Sequence, residues 1–532
     1  MADGSPFGLR SGPQAAKGVE VPSFSLPDDA SLEQLRKQAK DLRNLAGAGV
    51  PGALELVAAH HPQGAHAVTL TGAQLVVARH YGFSSWARLK RHLEMIERYR
   101  RAPDEVAGGP DEPAGPGGPA GRADEFLALA CLRFGGDDGP DRWERAARLL
   151  AGHPELARDS IYVAAAAADE QAVRTHLAAD PALASRDGGP YGWPPLLYLA
   201  FARHDPLVSE AALLGTARVL LGHGADPNAG YLWHGLYPPF TAVTGALGGG
   251  ETDQPQHRHG FALAALLLAA GADANDGQAL YNLQFGDDDR HLVLLFEHGL
   301  GRGDGGPWAA RFGHTADSPG EMLRGQLWWA IVHDMRDRAR LLVGHGTDFL
   351  TPYAAPGGRP VTLRTSDGRT PAEVAALSGS PGLARWLVAQ GAAEPSLTGQ
   401  DALIAAVLAG DRDAVESGGL REHAAAVRAQ RPGLIVWAAA RGRAGAVEML
   451  AGLGFDVNAK ARTDTPTEQQ WETALHHAAG AGDLALARLL LRLGAAPGIT
   501  DTRFGATPLG WAHHFGQQEM IGLLEPVTPG EH

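Results

Sequence analysis

Two pairs of adjacent histidines could act as metal ligands or as catalytic groups. His476 and His477 are adjacent on an apolar stretch, and His513 and His514 follow in the same way. Imidazole suits metal binding and acid–base catalysis. Neighbouring residues of a helix point about 100° apart, so neither pair alone chelates a metal well. Whether the first pair does chemistry depends on whether its surroundings recur along the chain.

A better metal candidate is the segment His257-Arg-His259. Its alternate histidines share an insertion with Glu251 and Asp253. His and carboxylate side chains are common zinc ligands. The alternative is a solvated polar loop, and we favour it because the spacing is a weak motif. We therefore predict no metal and no cofactor.

Other signatures of catalysis are absent from the sequence. There is no GxxxxGK[ST], HExxH or GxSxG motif. Cys131 is the single cysteine, which leaves no disulfide framework and no thiolate metal site. The acidic run at 287–289 is typical of a solvated turn. We predict a protein without catalytic residues, although an enzyme site in the insertions stays a third hypothesis.

Charge and hydropathy restrict the partners. The net charge is −14, but residues 27–101 carry 11 Lys/Arg against 7 Asp/Glu, so the rest of the chain is strongly acidic and disfavours nucleic acid. The longest apolar run, FALAALLLAA at 261–270, is half a membrane span, and the N-terminus lacks a signal peptide. We expect a cytoplasmic protein that does not enter membranes.

The pattern around His476 recurs. TALHHAAGAGD followed by LALARLLLRLGA at 473–495 has the same layout as TPLGWAHHFGQ followed by QEMIGLL, which starts 34 residues later at Thr507. Copies fit at 125, 160, 194, 238, 278, 325, 370, 401 and 433, with a period of 31 to 35 residues lengthened by insertions. Such a period indicates a solenoid of repeated units.

The sequence resembles ankyrin-repeat proteins. The residues that carry the resemblance are Thr473-Ala-Leu-His476 with Ala478 and Ala479, Thr507-Pro508-Leu509, Thr370-Pro371, and the terminators GADPN at 224–228, GADAN at 271–275 and GFDVN at 454–458. The abundance of Arg over Lys is typical of a GC-rich bacterial genome, which suggests a bacterial member.

The physics of each unit favours the same fold. Thr caps a helix, and a following Pro is preset for its first turn. Glycines stand where each second helix must end in a left-handed residue: Gly224, Gly271, Gly346, Gly391, Gly454 and Gly494. We predict an all-α fold, an ankyrin-repeat solenoid of about ten to eleven helix-turn-helix units with loop insertions, preceded by a small helical domain.

The resemblance implies that His476 is structural, joining adjacent repeats, and that a protein partner binds the concave face and turn fingers. Mapping the motif puts eight aromatic residues there as predicted protein-binding residues: Trp193, Tyr198, Tyr237, Trp329, Trp437, Trp471, Phe504 and Trp511. The alternative is that several of them clamp insertions onto the repeats. The negative net charge of the chain predicts a partner with a basic patch. We also expect the protein to be a monomer.

The domain boundaries follow from composition. We expect residues 1–26 to be disordered, 27–101 to form the helical module, 102–122 to be a flexible Pro/Gly linker, 123–527 to be the solenoid and 528–532 to be a tail. Insertions are expected near 203–213, 245–260, 304–323, 347–367 and 459–472.

An alternative function assigns DNA binding to the N-terminal module while the repeats bind a protein. Ala78 and Gly82 have the spacing of a helix-turn-helix, and basic residues such as Arg88 follow. The apolar positions Trp86 and Leu89 do not match the register of a recognition helix. We therefore consider nucleic-acid binding the weaker hypothesis.

Overall fold

Helices, with short 3-10 turns included, hold 61% of the residues described in a computed structural model of the chain. The structure describes residues 26–27, 30–64, 69–106, 119–205, 207–251, 254–348, 369–417, 419–463 and 469–529. Residues 1–25 of the segment expected to be disordered and residues 107–118 of the expected linker therefore lie outside the described residues. The chain forms two compact units, one ending at Met322 and the other beginning at Leu323.

The N-terminal module is a bundle of four helices. They are α1 (Leu32–Gly47), α2 (Pro51–His60), α3 (Leu70–His80) and α4 (Trp86–Tyr99). Ser31 caps α1 in a capping box, and Ser85 caps α4. Leu35, Val57 and Leu89 are fully buried in a common core. The helical periodicity of the sequence explains this module.

The N-terminal module and the residues that follow it, up to Met322, belong to one compact unit. Strand β1 (Arg100–Arg101) pairs in parallel with β2 (Gly230–Trp233), which pairs antiparallel with β3 (Phe240–Thr241). A 3-10 turn at 103–105 follows, and Asp104 accepts a hydrogen bond from Nε2 of His234 at 2.8 Å. The all-α prediction did not include these strands, because a two-residue strand has no periodicity that sequence can show.

Helical hairpins make up the rest of this unit. Its helices are α5 (Pro119–Ala130), α6 (Pro140–Gly152), α7 (Leu156–Asp159), α8 (Ile161–Ala166), α9 (Glu170–Ala179), α10 (Pro195–Phe201), α11 (Glu210–Gly222), α12 (Ala242–Leu247), α13 (Gly260–Ala269), α14 (Gly277–Leu283), α15 (Arg290–Glu297) and α16 (Gly306–Phe312). From α8 to α15 they form four successive hairpins. The first helices α8, α10, α12 and α14 contact one another in series, and so do α9, α11 and α13. This is the stacking that a repeated hairpin requires.

The second unit continues the hairpin pattern. Its helices are α17 (Pro319–Val332), which begins just before the division, α18 (Arg336–Gly344), α19 (Pro371–Leu377), α20 (Pro381–Ala389), α21 (Gly399–Ala409), α22 (Arg412–Ser417), α23 (Ala424–Gln430), α24 (Leu434–Ala440), α25 (Ala444–Gly452), α26 (Ala474–Ala481), α27 (Leu484–Arg492), α28 (Pro508–His514) and α29 (Gln518–Leu524). Strands β4 (Lys460–Ala461) and β5 (Glu472–Thr473) pair antiparallel between α25 and α26. The helices α24, α26 and α28 contact one another in series.

Glycine ends the second helix of these hairpins. All six predicted terminators have a positive φ, between +85° at Gly454 and +107° at Gly391. The residue that follows the glycine donates to a carbonyl five residues back, as Ala495 does to Leu490 at 2.9 Å. This satisfies a carbonyl at the helix end, and only glycine adopts the required backbone without strain. The prediction for the six glycines is confirmed.

The asparagines of the terminators join one hairpin to the next, which sequence reasoning missed. Asn228 donates through Nδ2 to the carbonyl of Gly271 at 2.9 Å and accepts from the N–H of Asp273 at 2.8 Å. Asn458 makes the corresponding contact with Gly494 at 3.3 Å. An amide side chain carries both a donor and an acceptor, so it pairs with both kinds of loop backbone group.

Candidate functional site

The aromatic residues predicted to contact a partner fall into four separate groups. The first pair, Trp193 and Tyr198, is fully buried, with ring centroids 5.3 Å apart. Tyr198 donates its hydroxyl to the carbonyl of Gly188 at 2.9 Å and accepts from the N–H of Tyr191 at 3.1 Å. These side chains clamp the loop before α10 onto the hairpin. Their burial corrects the prediction, because a side chain without exposed surface does not contact a partner.

The second pair is Trp329 on α17 and Trp437 on α24, which are 9% and 2% exposed. His333 stacks on Trp329 with centroids 3.8 Å apart and meets the edge of Trp437 at 5.8 Å. Arg441 covers the other indole, with its guanidinium carbon 4.5 Å from the ring centroid of Trp437. These two tryptophans are also core residues, and the prediction is corrected for them too.

Tyr237 lies by itself among the predicted residues and is partly buried. Its ring packs 5.2 Å from Phe312, and it lines a small surface cleft together with Trp308. Trp308 lies in an insertion rather than in a repeat motif, so the repeat pattern does not mark it. This cleft belongs wholly to the first compact unit.

The remaining three predicted residues lie in the last two hairpins. Trp471 precedes β5, Phe504 lies in the loop before α28, and Trp511 is on α28. Phe504 is 69% exposed, and its ring centroid lies 6.4 Å from that of Trp511. Phe515, which is 54% exposed, has its ring centroid 6.1 Å from that of Trp511. We call Trp471, Arg503, Phe504, Trp511 and Phe515 the aromatic finger surface.

Arginine side chains hold Trp471 in place. The guanidinium carbons of Arg462 and Arg503 lie 3.9 and 4.1 Å from its ring centroid. Arg503 also lies 5.2 Å from the centroid of Phe504. Cation–π contacts of this kind contribute about 0.5–1 kcal/mol at exposed sites. They fix a large aromatic surface in one orientation before any partner arrives.

A single carboxylate builds the loop that carries Phe504. Asp501 accepts from the N–H groups of Arg503 and Phe504 at 2.7 and 2.6 Å, and from the indole N–H of Trp511 at 3.0 Å. Burial by itself raises the pKa of Asp501, but these hydrogen bonds outweigh it and lower the pKa below its usual range. The ionised carboxylate therefore holds the loop and α28 together.

The structure settles the role of His476. Its Nδ1 accepts from the N–H of Thr473 at 3.2 Å, and its Nε2 lies 3.0 Å from the carbonyl of Ala506 in the next loop. These partners assign the neutral tautomer with the proton on Nε2. Burial lowers the pKa of His476, which keeps it neutral. The expectation that this histidine joins adjacent repeats is confirmed.

The other histidines that the structure describes do not assemble into a metal centre. His257 and His259 have ring centroids 6.4 Å apart, and Nε2 of His259 lies 3.0 Å from the carbonyl of Val208. Glu251 accepts instead from the hydroxyl of Tyr281 at 2.7 Å. Asp253 lies outside the described residues. Within the described part of the chain, no group of three or more His, Cys, Asp or Glu side chains has the geometry to hold a metal.

In the described residues, neither the cysteine nor the helices indicate a thiolate site or a membrane-spanning segment. Cys131 is fully buried, and burial raises the pKa of its thiol to about 12, so it is not a reactive thiolate. None of the helices in the described ranges has the length and apolar character needed to cross a bilayer.

Comparison with known proteins agrees with the hairpin geometry at the C-terminal end. Residues 435–526, from α24 to α29, match the family model of ankyrin repeats, with three copies. This segment therefore consists of ankyrin repeats, and it contains the whole aromatic finger surface.

A curated protein shares a further similarity. The chain is 36% identical over 123 residues to E3 ubiquitin-protein ligase Ufd4 of Drosophila melanogaster. The aligned part is 23% of this chain and spans only 4% of the length of Ufd4. The ligase activity that this name states is that of the fly protein.

Proposed function

We propose that this protein is a non-enzymatic ankyrin-repeat scaffold that binds another protein through the aromatic finger surface. The observation that carries the proposal is the exposure of Phe504 and Phe515, both in contact with Trp511, within the ankyrin segment. Exposed aromatic side chains on an ordered surface are characteristic of interface hot spots.

The preorganisation of this surface supports the proposal. The bonds from Asp501 and the two guanidinium contacts to Trp471 already fix the rings. A partner then does not have to order them on binding, which removes a cost of about 0.5–1.5 kcal/mol for each side chain. In contrast, Trp193 and Trp437 are buried and stabilise the hairpins as core residues.

The proposal also extends the ankyrin repeats to the hairpins that precede the matched segment. The hairpins from α8 to α15 stack in series and end at left-handed glycines, as those of the matched segment do. We propose that about ten to eleven units form the array and that it acts as a monomer. The partner carries a basic patch, because residues 102–532 hold most of the negative charge.

Affinity capture from native cytosol with the full chain tests the proposal. We compare the wild type with a Phe504→Ala/Phe515→Ala variant and with Leu207→Ala, which removes a side chain that is 81% exposed in the other compact unit. We expect a set of proteins recovered by the wild type and Leu207→Ala but reduced at least ~10-fold for the double variant. Equal recovery by all three contradicts the proposal.

A further inference from the structure

The aromatic finger surface does not share the negative charge of the whole chain, which holds 60 Asp/Glu against 46 Lys/Arg. In the loop residues 469–473 and 499–507, the carboxylates are those of Glu472 and Asp501, and each residue is 3% exposed. Asp501 accepts from the N–H groups of its own loop and from the indole of Trp511, and Glu472 accepts from the hydroxyl of Thr463 at 2.6 Å. These described stretches therefore present no exposed carboxylate beside the rings.

Arg503 is the exposed cation of this surface. Its guanidinium carbon lies 4.1 Å from the ring centroid of Trp471 and 5.2 Å from that of Phe504. No hydrogen bond or ion pair joins its guanidinium to another described residue. In contrast, the exposed Arg290 pairs with Asp288 at 2.6 Å. The five N–H donors of the Arg503 side chain are therefore left to solvent or to a partner.

The neighbouring rings make Arg503 a better partner for a carboxylate than an isolated surface arginine. An ion pair between two freely moving exposed side chains contributes little, because ordering both side chains opposes it. The contacts with Trp471 and Phe504 already restrict the guanidinium, so less side-chain freedom is lost when it binds. Its planar fork of donors also matches the two oxygens of a carboxylate.

We propose that the segment of the partner that binds the aromatic finger surface is an acidic peptide with apolar neighbours. A carboxylate of this segment accepts hydrogen bonds from Arg503, and the adjoining aliphatic side chains pack on Phe504, Trp511 and Phe515. This inference rests on the proposed function. The basic patch of the partner then faces the acidic remainder of the chain, while the segment on the fingers carries the opposite charge.

Fluorine NMR on the full chain labelled with 5-fluorotryptophan tests the charge preference. The resonances of Trp471 and Trp511 are assigned with Trp471→Phe and Trp511→Phe. We titrate acetyl-Gly-Leu-Glu-Leu-Gly-amide and its two analogues with Gln or Lys in place of Glu. We expect the glutamate peptide to move at least one of these resonances in a saturable way at millimolar concentration. It should bind about 3–10-fold more tightly than the glutamine peptide, with the lysine peptide weakest, and added salt should reduce the difference.

Charge reversal separates an electrostatic preference from damage to the fold. Arg503→Glu should invert the order, so that the lysine peptide binds more tightly than the glutamate peptide, which a misfolded variant would not do. Arg488→Glu, at an exposed position on α27, is the matched control and should keep the order of the wild type. Both the wild-type order and its inversion are required, and any other result overturns the proposal.

The failure of this inference is distinguishable from the failure of the proposed function. If the partner seats an apolar or basic segment on the rings, the Phe504→Ala/Phe515→Ala variant still loses it in the capture experiment, but the titration shows no preference for the glutamate peptide. The proposed function then stands and the acidic segment is wrong. If capture is equal for all variants although the glutamate preference holds, the proposed function is the part that fails.

Discussion

Nη2 of Arg443 lies 3.4 Å from Oδ2 of Asp334, although the two residues are 109 positions apart in the chain. Asp334 also pairs with Arg336 at 3.1 Å and has a left-handed backbone, with φ +57°. The pair joins the end of α17 to the turn between α24 and α25. His333, the neighbour of Asp334, packs against both Trp329 and Trp437, two aromatic residues predicted to face a partner that are buried instead.

We predict that truncating Trp437 and Phe504 has opposite consequences. Trp437→Ala leaves a large cavity in the second unit and should cost about 3–5 kcal/mol of unfolding free energy. Phe504→Ala removes a mostly exposed ring and should change stability by at most about 0.5 kcal/mol. Urea unfolding of each variant measures the change in unfolding free energy. Hydrogen exchange in residues 434–452 and 484–492 reports the change in the helices. A Trp437→Ala variant as stable as the wild type would show that the side chain is not a core residue.

We predict that His476 contributes to the junction of the last two hairpins. His476→Ala removes the bonds to Thr473 and Ala506 from a buried position and should cost about 1–3 kcal/mol. Hydrogen exchange in residues 474–524 should increase. His513→Ala, at an exposed position on α28, is the control and should exchange as the wild type does. Equal exchange in the two variants would contradict the structural role.

Acid should destabilise the first unit through two buried histidines. Burial lowers the pKa of His204 to about 4 and, together with the charges of Arg203 and His259, that of His257 to about 3. The unfolded chain takes up these protons near pH 6.5 and the folded chain does not, so their stabilising contribution is lost as the pH falls below 6.5.

Each of these histidines should cost about 1.4 kcal/mol per pH unit between pH 6.5 and its folded pKa. Thermal unfolding at pH 7.0, 6.0 and 5.5 measures the slope. His257→Asn should reduce it, because asparagine does not titrate. An unchanged slope in this variant would assign the acid sensitivity to other groups.

Two glycines in open surroundings should respond differently to alanine. Gly494 has φ +96° and Gly452 is the last residue of α25, and no atom lies within 4 Å of a Cβ built on either. Gly494→Ala should destabilise by about 1–2 kcal/mol because alanine is strained in the left-handed region. Gly452→Ala should stabilise by about 0.5–1 kcal/mol through helix propensity. Denaturant midpoints of the two variants check the signs, and a stabilising Gly494→Ala would contradict the assigned backbone.

Local features of this protein were determined by the sequence itself. The caps at Ser31, Ser85 and Thr507, the left-handed glycines and the helical hairpins depend on residues within a few positions of one another, so their chemistry is visible in the chain. The role of His476 was accessible for the same reason, since the repeated motif marks its place.

Tertiary structure alone decided which aromatic residues are available. The burial of Trp193 and Trp437, the pairing of β1 with β2 and the ion pair of Asp334 with Arg443 each join segments far apart in sequence. Periodicity shows which face of a helix is apolar, but it does not show what covers that face. Exposure is a property of the packed hairpins, so Phe515 gained its significance only from the fold.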